Sequence, residues 1–176
     1  MGKAGSGKDT VAASLKKRLG STCNIYALAD PIREEYKRFF PDKNPRLDRD
    51  KLIELGETYK KLYGQDVWVK MTYKRIWSDK IYPSQFEIDA HAVVSDGRHQ
   101  IEYDFFIAEK GFLPLWVDCP DEVRFSRLIA RDGTLQQEAL KKECQDLWHV
   151  KAYFLDNSGT FEQLQKNIDK IFEMGR

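Results

Sequence analysis

The chain begins with a glycine-rich segment that runs directly into a helical pattern, and this feature constrains the fold most. The segment is Gly2-Lys3-Ala4-Gly5-Ser6-Gly7-Lys8-Asp9. Its glycines permit positive φ angles that turn backbone N–H groups inward, and the following helix aims its dipole at the same point. Lys8 supplies a mobile positive charge for the β- and γ-phosphate oxygens of a nucleoside triphosphate. Residues 2–9 are therefore predicted to form a phosphate loop, and an ordinary glycine-rich turn is the weaker alternative.

The residue after Lys8 departs from the usual phosphate-loop pattern. A Ser or Thr hydroxyl normally stands there and binds magnesium, whereas this chain has Asp9 followed by Thr10. A carboxylate is also a hard oxygen ligand that suits Mg²⁺. Alternatively, Asp9 is a helix N-terminal acid that complements the dipole. Both interpretations stay open.

Apolar runs and amphipathic patterns alternate along the chain. Buried strands are predicted over residues 24–29, 92–95, 113–118 and 152–155. Helices are predicted over residues 10–19, 31–40, 48–63, 66–77, 101–109, 121–131, 135–148 and 161–172. This alternation indicates an α/β protein in which a parallel sheet carries helices on both faces. Together with the phosphate loop it predicts a three-layer P-loop NTPase fold with a central parallel sheet.

The pattern also predicts the domain organisation. Residues 1–176 are expected to form a single domain, with a helical substrate-side insert over residues 31–83 and a lid region over residues 121–148. A phosphate loop normally follows a strand, yet only Met1 precedes Gly2 here. We therefore expect either that a supporting strand lies upstream of this sequence or that the chain is truncated.

Composition and charge exclude several classes of function. The net charge is +1, from 29 basic and 28 acidic residues, so neither a nucleic-acid polymer nor a membrane surface is an expected partner. The first residues of this sequence lack the apolar core of a secretory signal, and no apolar run approaches the roughly 18 residues that span a bilayer. The three cysteines are scattered and the three histidines lack a ligand pattern. We expect a reduced, cytoplasmic protein without a zinc site, and the oligomeric state stays open.

Two predicted strands end in residues suited to phosphate chemistry. Asp96 follows the run at residues 92–95, at an edge where open parallel sheets bind ligands, so it is expected to lie where a hydrated magnesium ion or an acceptor group would bind. Arg98 is a candidate phosphate clamp, although an Asp–Arg surface pair is the alternative. Asp30 and Arg33 follow the strand at residues 24–29 and are candidate acceptor contacts. For Asp30, a helix-capping role is about equally favoured.

The C-terminal half supplies further candidates. Arg127 and Arg131 recur at helical spacing, and we expect them to act from a closing lid on the transferring phosphoryl group. A solvated helix face is the alternative, and we expect it to hold for Arg124. Asn157 follows the last strand and is a candidate contact to a nucleobase, with a simple turn as the alternative.

Together these motifs resemble a family of kinases. The segments GKAGSGKDT (residues 2–10), LADPIRE (28–34) and VVSDGR (93–98) resemble the deoxynucleoside monophosphate kinases of phage and bacteria, as do LIELG (52–56) and VWV (67–69). Animal phosphomevalonate kinases share the GKD loop and a similar Ser-Asp-x-Arg strand end. RLIARDG (127–133) and DNSGT (156–160) look like dephospho-CoA kinase, but the Asp-x-Pro-Leu-Leu-Phe-Glu segment of that family is absent.

The resemblance implies a set of roles. Lys8 and the loop, with residues Gly2, Gly5, Ser6, Gly7, Asp9 and Thr10, would hold ATP, and Asp9 and Asp96 would organise Mg²⁺. Arg98 would bind the acceptor phosphate, Arg127 and Arg131 would act from the lid, and Asn157 would lie near the adenine.

The predicted activity is transfer of the γ-phosphoryl group of Mg-ATP to a (deoxy)nucleoside monophosphate. Dephospho-CoA or phosphomevalonate kinase activity is the alternative, and a non-catalytic nucleotide-binding regulatory protein is the second.

Overall fold

A computed structural model of the chain describes residues 1–84, 90–133 and 151–174. The chain divides into two compact units. The first, here called the loop unit, comprises Met1–Arg18 and Gly97–Arg176, and the second, here called the helical unit, comprises Leu19–Asp96. The predicted helix at residues 135–148 lies outside the described residues, and the single-domain assignment remains a prediction.

The described residues confirm the alternation of strands and helices. The elements are α1 Lys8–Leu19, β1 Cys23–Tyr26, α2 Asp30–Phe39, a 3₁₀ turn at Pro45–Leu47, α3 Arg49–Tyr63, α4 Val67–Ser84, β2 His91–Val94, α5 Gln100–Tyr103, a π-helical segment at Asp104–Glu109, β3 Leu115–Asp118, α6 Asp121–Asp132, β4 Tyr153–Asp156 and α7 Phe161–Met174. Among these described elements, none is a helix long and apolar enough to cross a membrane.

In the loop unit, β3 and β4 pair in parallel, with Leu115 opposite Tyr153 and Asp118 opposite Asp156. The backbone of Met1 lies beside β3, where its amino group donates to Leu115 O over 2.7 Å and its carbonyl accepts from Val117 N over 2.9 Å. The apolar core joins α1, β3, β4 and α7 through Val11, Val117, Leu155, Leu164 and Ile168. This core holds the start of α1, and with it the phosphate loop, against the sheet.

In the helical unit, β1 and β2 also pair in parallel, with Cys23 opposite His91 and Tyr26 opposite Val94. Helices α2, α3 and α4 pack together around buried aromatic side chains. Trp68 stacks on Tyr59 with ring centroids 4.9 Å apart, and its indole N–H donates to Gly56 O over 3.2 Å. Residues 30–84 are thus largely helical, and their role as a substrate-side insert remains a prediction.

The parallel pairing and the α/β class agree with the prediction, whereas the central sheet is seen only in part. The described residues form two separate two-stranded parallel sheets, β1–β2 and β3–β4. The extent of one strand and the geometry of one helix also differ from the prediction for local reasons. The backbone N–H groups of Leu28 and Ala29 donate to Asp96, so β1 ends at Tyr26 and does not reach residue 29. The helix predicted at residues 101–109 changes to π-helical geometry at Asp104.

Candidate phosphate-binding site

The phosphate loop has the backbone geometry that its glycines predict. Gly2, Gly5 and Gly7 have φ angles of 140°, 76° and 87°. A Cβ on Gly2 would lie 2.3 Å from Val117 O, and one on Gly5 would lie 2.7 Å from Arg124 O. Both contacts are far shorter than real Cβ atoms show. The loop therefore needs glycine for its φ angles and also for its close approach to β3 and α6.

Lys8 begins α1 and turns its side chain back over the loop. Its ammonium group donates to Gly2 O and to Lys3 O, over 2.7 Å in each case. The charge of Lys8 is therefore held at the loop and does not extend into solvent. An ammonium at this point is positioned to contact oxygens of any phosphate bound by the loop.

Arg124 is a loop contact that sequence reasoning missed. The prediction of a solvated position for Arg124 is wrong, since only 3% of this residue is exposed. Its Nη1 donates to Ala4 O over 2.7 Å, and its Nε and Nη2 contact Asp121 Oδ1 at 2.9 and 2.8 Å. The hydrogen bond from Arg124 holds the pKa of Asp121 below its usual value. Helical spacing alone could not reveal this contact because the partner lies 120 residues away.

Asn157 and Arg127 reach the loop from β4 and α6. Asn157, which is 6% exposed, donates from Nδ2 to Ser6 O over 2.7 Å. Its backbone carbonyl accepts from Arg127 Nη2 over 2.9 Å. Arg127 Nη1 lies 3.7 Å from the place that a Cβ on Gly7 would occupy. The structure thus brings Lys8, Arg127 and Asn157 together, and the predicted adenine contact of Asn157 remains a prediction.

The loop also contains a buried hydroxyl suited to a bound anion. Ser6 is 1% exposed, and its Oγ has no hydrogen-bond partner among the described residues. Buried polar atoms are generally satisfied by protein, water or ligand. Together with the glycine cradle and the ammonium of Lys8, this orphaned hydroxyl makes the loop fit the phosphates of ATP.

The candidate carboxylates lie in different local settings. Asp9 is exposed in the first turn of α1, and Thr10 beside it is also exposed. Asp96 lies in the helical unit, where its two carboxylate oxygens accept from Leu28 N over 2.6 Å and Ala29 N over 3.2 Å. Among the described residues, no cluster of three His, Cys, Asp or Glu side chains could hold a metal ion. Mg²⁺ that is bound mainly by nucleotide phosphates needs only one or two carboxylates, so the roles of Asp9 and Asp96 toward this ion remain predictions.

Two candidate arginines are exposed in the loop unit. Arg98 stands just before α5, where Glu102 accepts hydrogen bonds from the backbone N–H groups of Arg98 and of His99. This arrangement fixes the backbone at Arg98 and leaves its guanidinium at the surface. Arg131 is exposed in the last turn of α6, which ends at Gly133 in the left-handed conformation.

Asp30 and Arg33 line an open cavity of about 310 Å³ within the helical unit. Lys37, Asn44 and Arg75 also line it. Arg33 Nη1 pairs with Asp30 Oδ1 at 2.9 Å, and these side chains are 36% and 40% exposed. Ion pairs this exposed contribute little free energy, so Arg33 can exchange its partner for an anionic ligand at small cost.

Comparisons with known proteins identify the family of this chain and several similar proteins. A family model described as AAA domain matches residues 1–147. Dephospho-CoA kinases from two strains of Thermus thermophilus are each 28% identical over 184 residues, which cover 97% of this chain and 87% of theirs. The crystal structure of TT1252 from Thermus thermophilus is similar with a TM-score of 0.54 at 25% identity, over 98% of this chain and 94% of that one.

Proposed function

This chain belongs to the AAA domain family, and from that premise we propose that it transfers the γ-phosphoryl group of ATP to a (deoxy)nucleoside monophosphate. The observation that carries this proposal is the glycine cradle of the phosphate loop, with the ammonium of Lys8 held at its carbonyls. The fold is P-loop NTPase-like, and the kinase class rests on the family and on the similar dephospho-CoA kinases.

On the donor side, the loop amides, Lys8 and Arg127 bind the triphosphate. Phosphoryl transfer depends mainly on positioning and on stabilising charge at the transferring group. Lys8 and Arg127 supply that charge from opposite ends of the loop, and Arg131 joins them from the lid region, of which residues 134–148 lie outside the described part of the chain. Mg²⁺, when bound, would neutralise phosphate charge, with Asp9 and Asp96 as the proposed carboxylates.

On the acceptor side, Arg98 binds the acceptor phosphate, and Asp30 and Arg33 contact the rest of the acceptor. An acceptor phosphate is already ionised near neutrality, so this reaction needs no general base. Asp96 is the candidate base in the sequence, and the proposed acceptor does not require it to act as one.

Dephospho-CoA is the second candidate acceptor. It is favoured by the similarity to dephospho-CoA kinases, which covers nearly the whole chain. Its acceptor hydroxyl would have to lose a proton, and Asp96 is the candidate base, since each of its oxygens accepts one backbone hydrogen bond and keeps a lone pair.

An acceptor panel separates the two candidates. Wild-type protein is incubated with ATP labelled at the γ-phosphate, magnesium and one acceptor at a time: the four deoxynucleoside monophosphates, AMP, phosphomevalonate or dephospho-CoA. We expect label on a nucleoside monophosphate, and Lys8→Ala serves as the inactive control. Label on dephospho-CoA alone would refute the first acceptor and support the second. Absence of transfer to any acceptor, with ATP still bound, would favour a non-catalytic nucleotide-binding protein.

A further inference from the structure

Two carbonyl groups of the phosphate loop are held from outside the loop by buried side chains. Arg124 Nη1 donates to Ala4 O, and Asn157 Nδ2 donates to Ser6 O, each over 2.7 Å. Arg124 is 3% exposed and Asn157 is 6% exposed. We call these two side chains, Arg124 and Asn157, the loop clamps. Each of them bonds to a residue far away in the sequence, 120 and 151 positions apart respectively.

Each clamp fixes the direction of the N–H group that follows it. The described peptide bonds include no cis bond, and in a trans peptide the C=O and the N–H point to opposite sides. When Ala4 O points at Arg124, the N–H of Gly5 points away from Arg124. When Ser6 O points at Asn157, the N–H of Gly7 likewise points away from Asn157. The two side chains thereby set the directions of two N–H groups in the loop.

Both clamps are themselves held in place. Arg124 is oriented by Asp121, which also lies 3.8 Å from the ammonium of Lys3. Asn157 donates its backbone N–H to Asp118 O over 2.8 Å and accepts from Arg127 Nη2 over 2.9 Å. Because Arg124 and Asn157 are rigidly held, the loop N–H groups that they orient need less rearrangement when the loop binds an anion.

We propose that Arg124 and Asn157 are positioning residues that orient the Gly5 and Gly7 N–H groups toward the phosphates of ATP. They act through the loop backbone and not by touching the nucleotide. For Asn157, this positioning role differs from direct contact with the adenine. A change in the loop backbone alters the binding of every ligand that carries the same phosphates, whereas loss of an adenine contact alters the binding of adenine nucleotides alone. The inference rests on the proposed binding of ATP by this loop.

The test measures binding directly, so that it does not depend on the acceptor. The variants are Arg124→Met, Arg124→Lys and Asn157→Leu. Arg18→Met removes an exposed arginine of the same unit that pairs with Asp169, and Ile76→Ala weakens the core of the helical unit, to which the loop does not belong. The Kd for ATP is measured by titration calorimetry, the Ki for inorganic tripolyphosphate by competition, and the melting temperature in parallel.

We expect Arg124→Met and Asn157→Leu to raise the Kd for ATP and the Ki for tripolyphosphate by the same factor, at least about ten-fold. Arg124→Lys should restore part of the affinity because it keeps a donor and a charge. Ile76→Ala should melt at a lower temperature than wild type yet bind ATP with the wild-type Kd. Arg18→Met should keep both the wild-type Kd and a melting temperature close to wild type. ATP affinities of both clamp variants within two-fold of wild type would overturn the inference. A loss confined to ATP, with tripolyphosphate unchanged, would overturn it for Asn157. A wild-type protein that binds no ATP would instead refute the proposed function.

Discussion

The glycine at position 5 offers a direct test of the loop geometry. Its φ angle is 76°, and a Cβ there would meet the backbone oxygen of Arg124 at 2.7 Å and Leu128 Cγ at 3.0 Å. Gly111 in the same unit has a φ angle of 70° and has nothing within 4 Å of its Cβ position. The pair Gly5→Ala and Gly111→Ala therefore shares the backbone strain and differs in the steric clash.

The expected magnitudes follow from this difference. A left-handed φ angle costs an alanine about 1–2 kcal/mol in both variants. Overpacking against α6 adds about 1–3 kcal/mol for Gly5→Ala alone. For a chain of this length, 1 kcal/mol moves the melting temperature by about 2–4 °C. Gly5→Ala should thus melt roughly 2–12 °C below Gly111→Ala.

Thermal melts followed by circular dichroism measure this difference, and ATP titration of the two variants accompanies them. Gly5→Ala should also lose ATP affinity because the loop must move away from α6, whereas Gly111→Ala should bind like wild type. Equal melting temperatures for the two variants would refute the packing of the loop against Arg124. Undiminished ATP binding by Gly5→Ala would refute the role of that packing in holding the phosphates.

Further predictions concern the charge at the loop and two buried tyrosines. Lys8→Ala should lower phosphoryl transfer at least about 100-fold, with a melting temperature close to wild type, whereas Lys17→Ala on the exposed side of α1 should leave transfer unchanged. Burial, followed by the hydrogen bond to Asp79, raises the pKa of Tyr26 to about 12. This tyrosine therefore stabilises the fold fully below its unfolded pKa of about 10, and the contribution is lost as the pH rises through about 12. Tyr26→Phe should cost about 1 kcal/mol at neutral pH and should flatten the alkaline fall in urea stability. The hydroxyl of Tyr36 lowers the pKa of Asp48, so this carboxylate stabilises the fold above its unfolded pKa of about 3.9 and loses the contribution as the pH falls through its lower folded pKa. Tyr36→Phe should therefore unfold at a higher pH than wild type in an acid titration, and an unchanged acid midpoint would count against the Tyr36–Asp48 bond.

The fold was predictable from the sequence wherever the signal is local. Glycine spacing predicts the loop, and Pro31 predicts the start of α2, which the structure places at Asp30–Phe39. Apolar runs predict all four described strands to within a few residues. The end of β1 was not predictable because it is set by Asp96, which accepts hydrogen bonds from residues 67 and 68 positions away.

The candidate site was likewise predictable from the sequence only where the signal is local. Lys8 and the loop glycines follow from spacing, since the chemistry and the local backbone coincide there. Arg124 has the same helical spacing as Arg127 and Arg131, and a periodic pattern cannot tell a buried arginine from a solvated one. Only the packing of α6 on the loop distinguishes them, because it buries Arg124 beside Ala4 O and leaves Arg131 exposed. An arginine in the first turns of a helix is a signal too weak to find such a contact.

The most direct test of the central claim is a label-transfer measurement with wild-type protein and Lys8→Ala. Each is incubated with magnesium and ATP labelled at the γ-phosphate, together with the full acceptor panel, and products are separated by chromatography. We predict that wild-type protein moves the label from ATP to a nucleoside monophosphate and that Lys8→Ala does not. Transfer by Lys8→Ala at the wild-type rate, or no transfer by wild-type protein to any acceptor, would contradict the account.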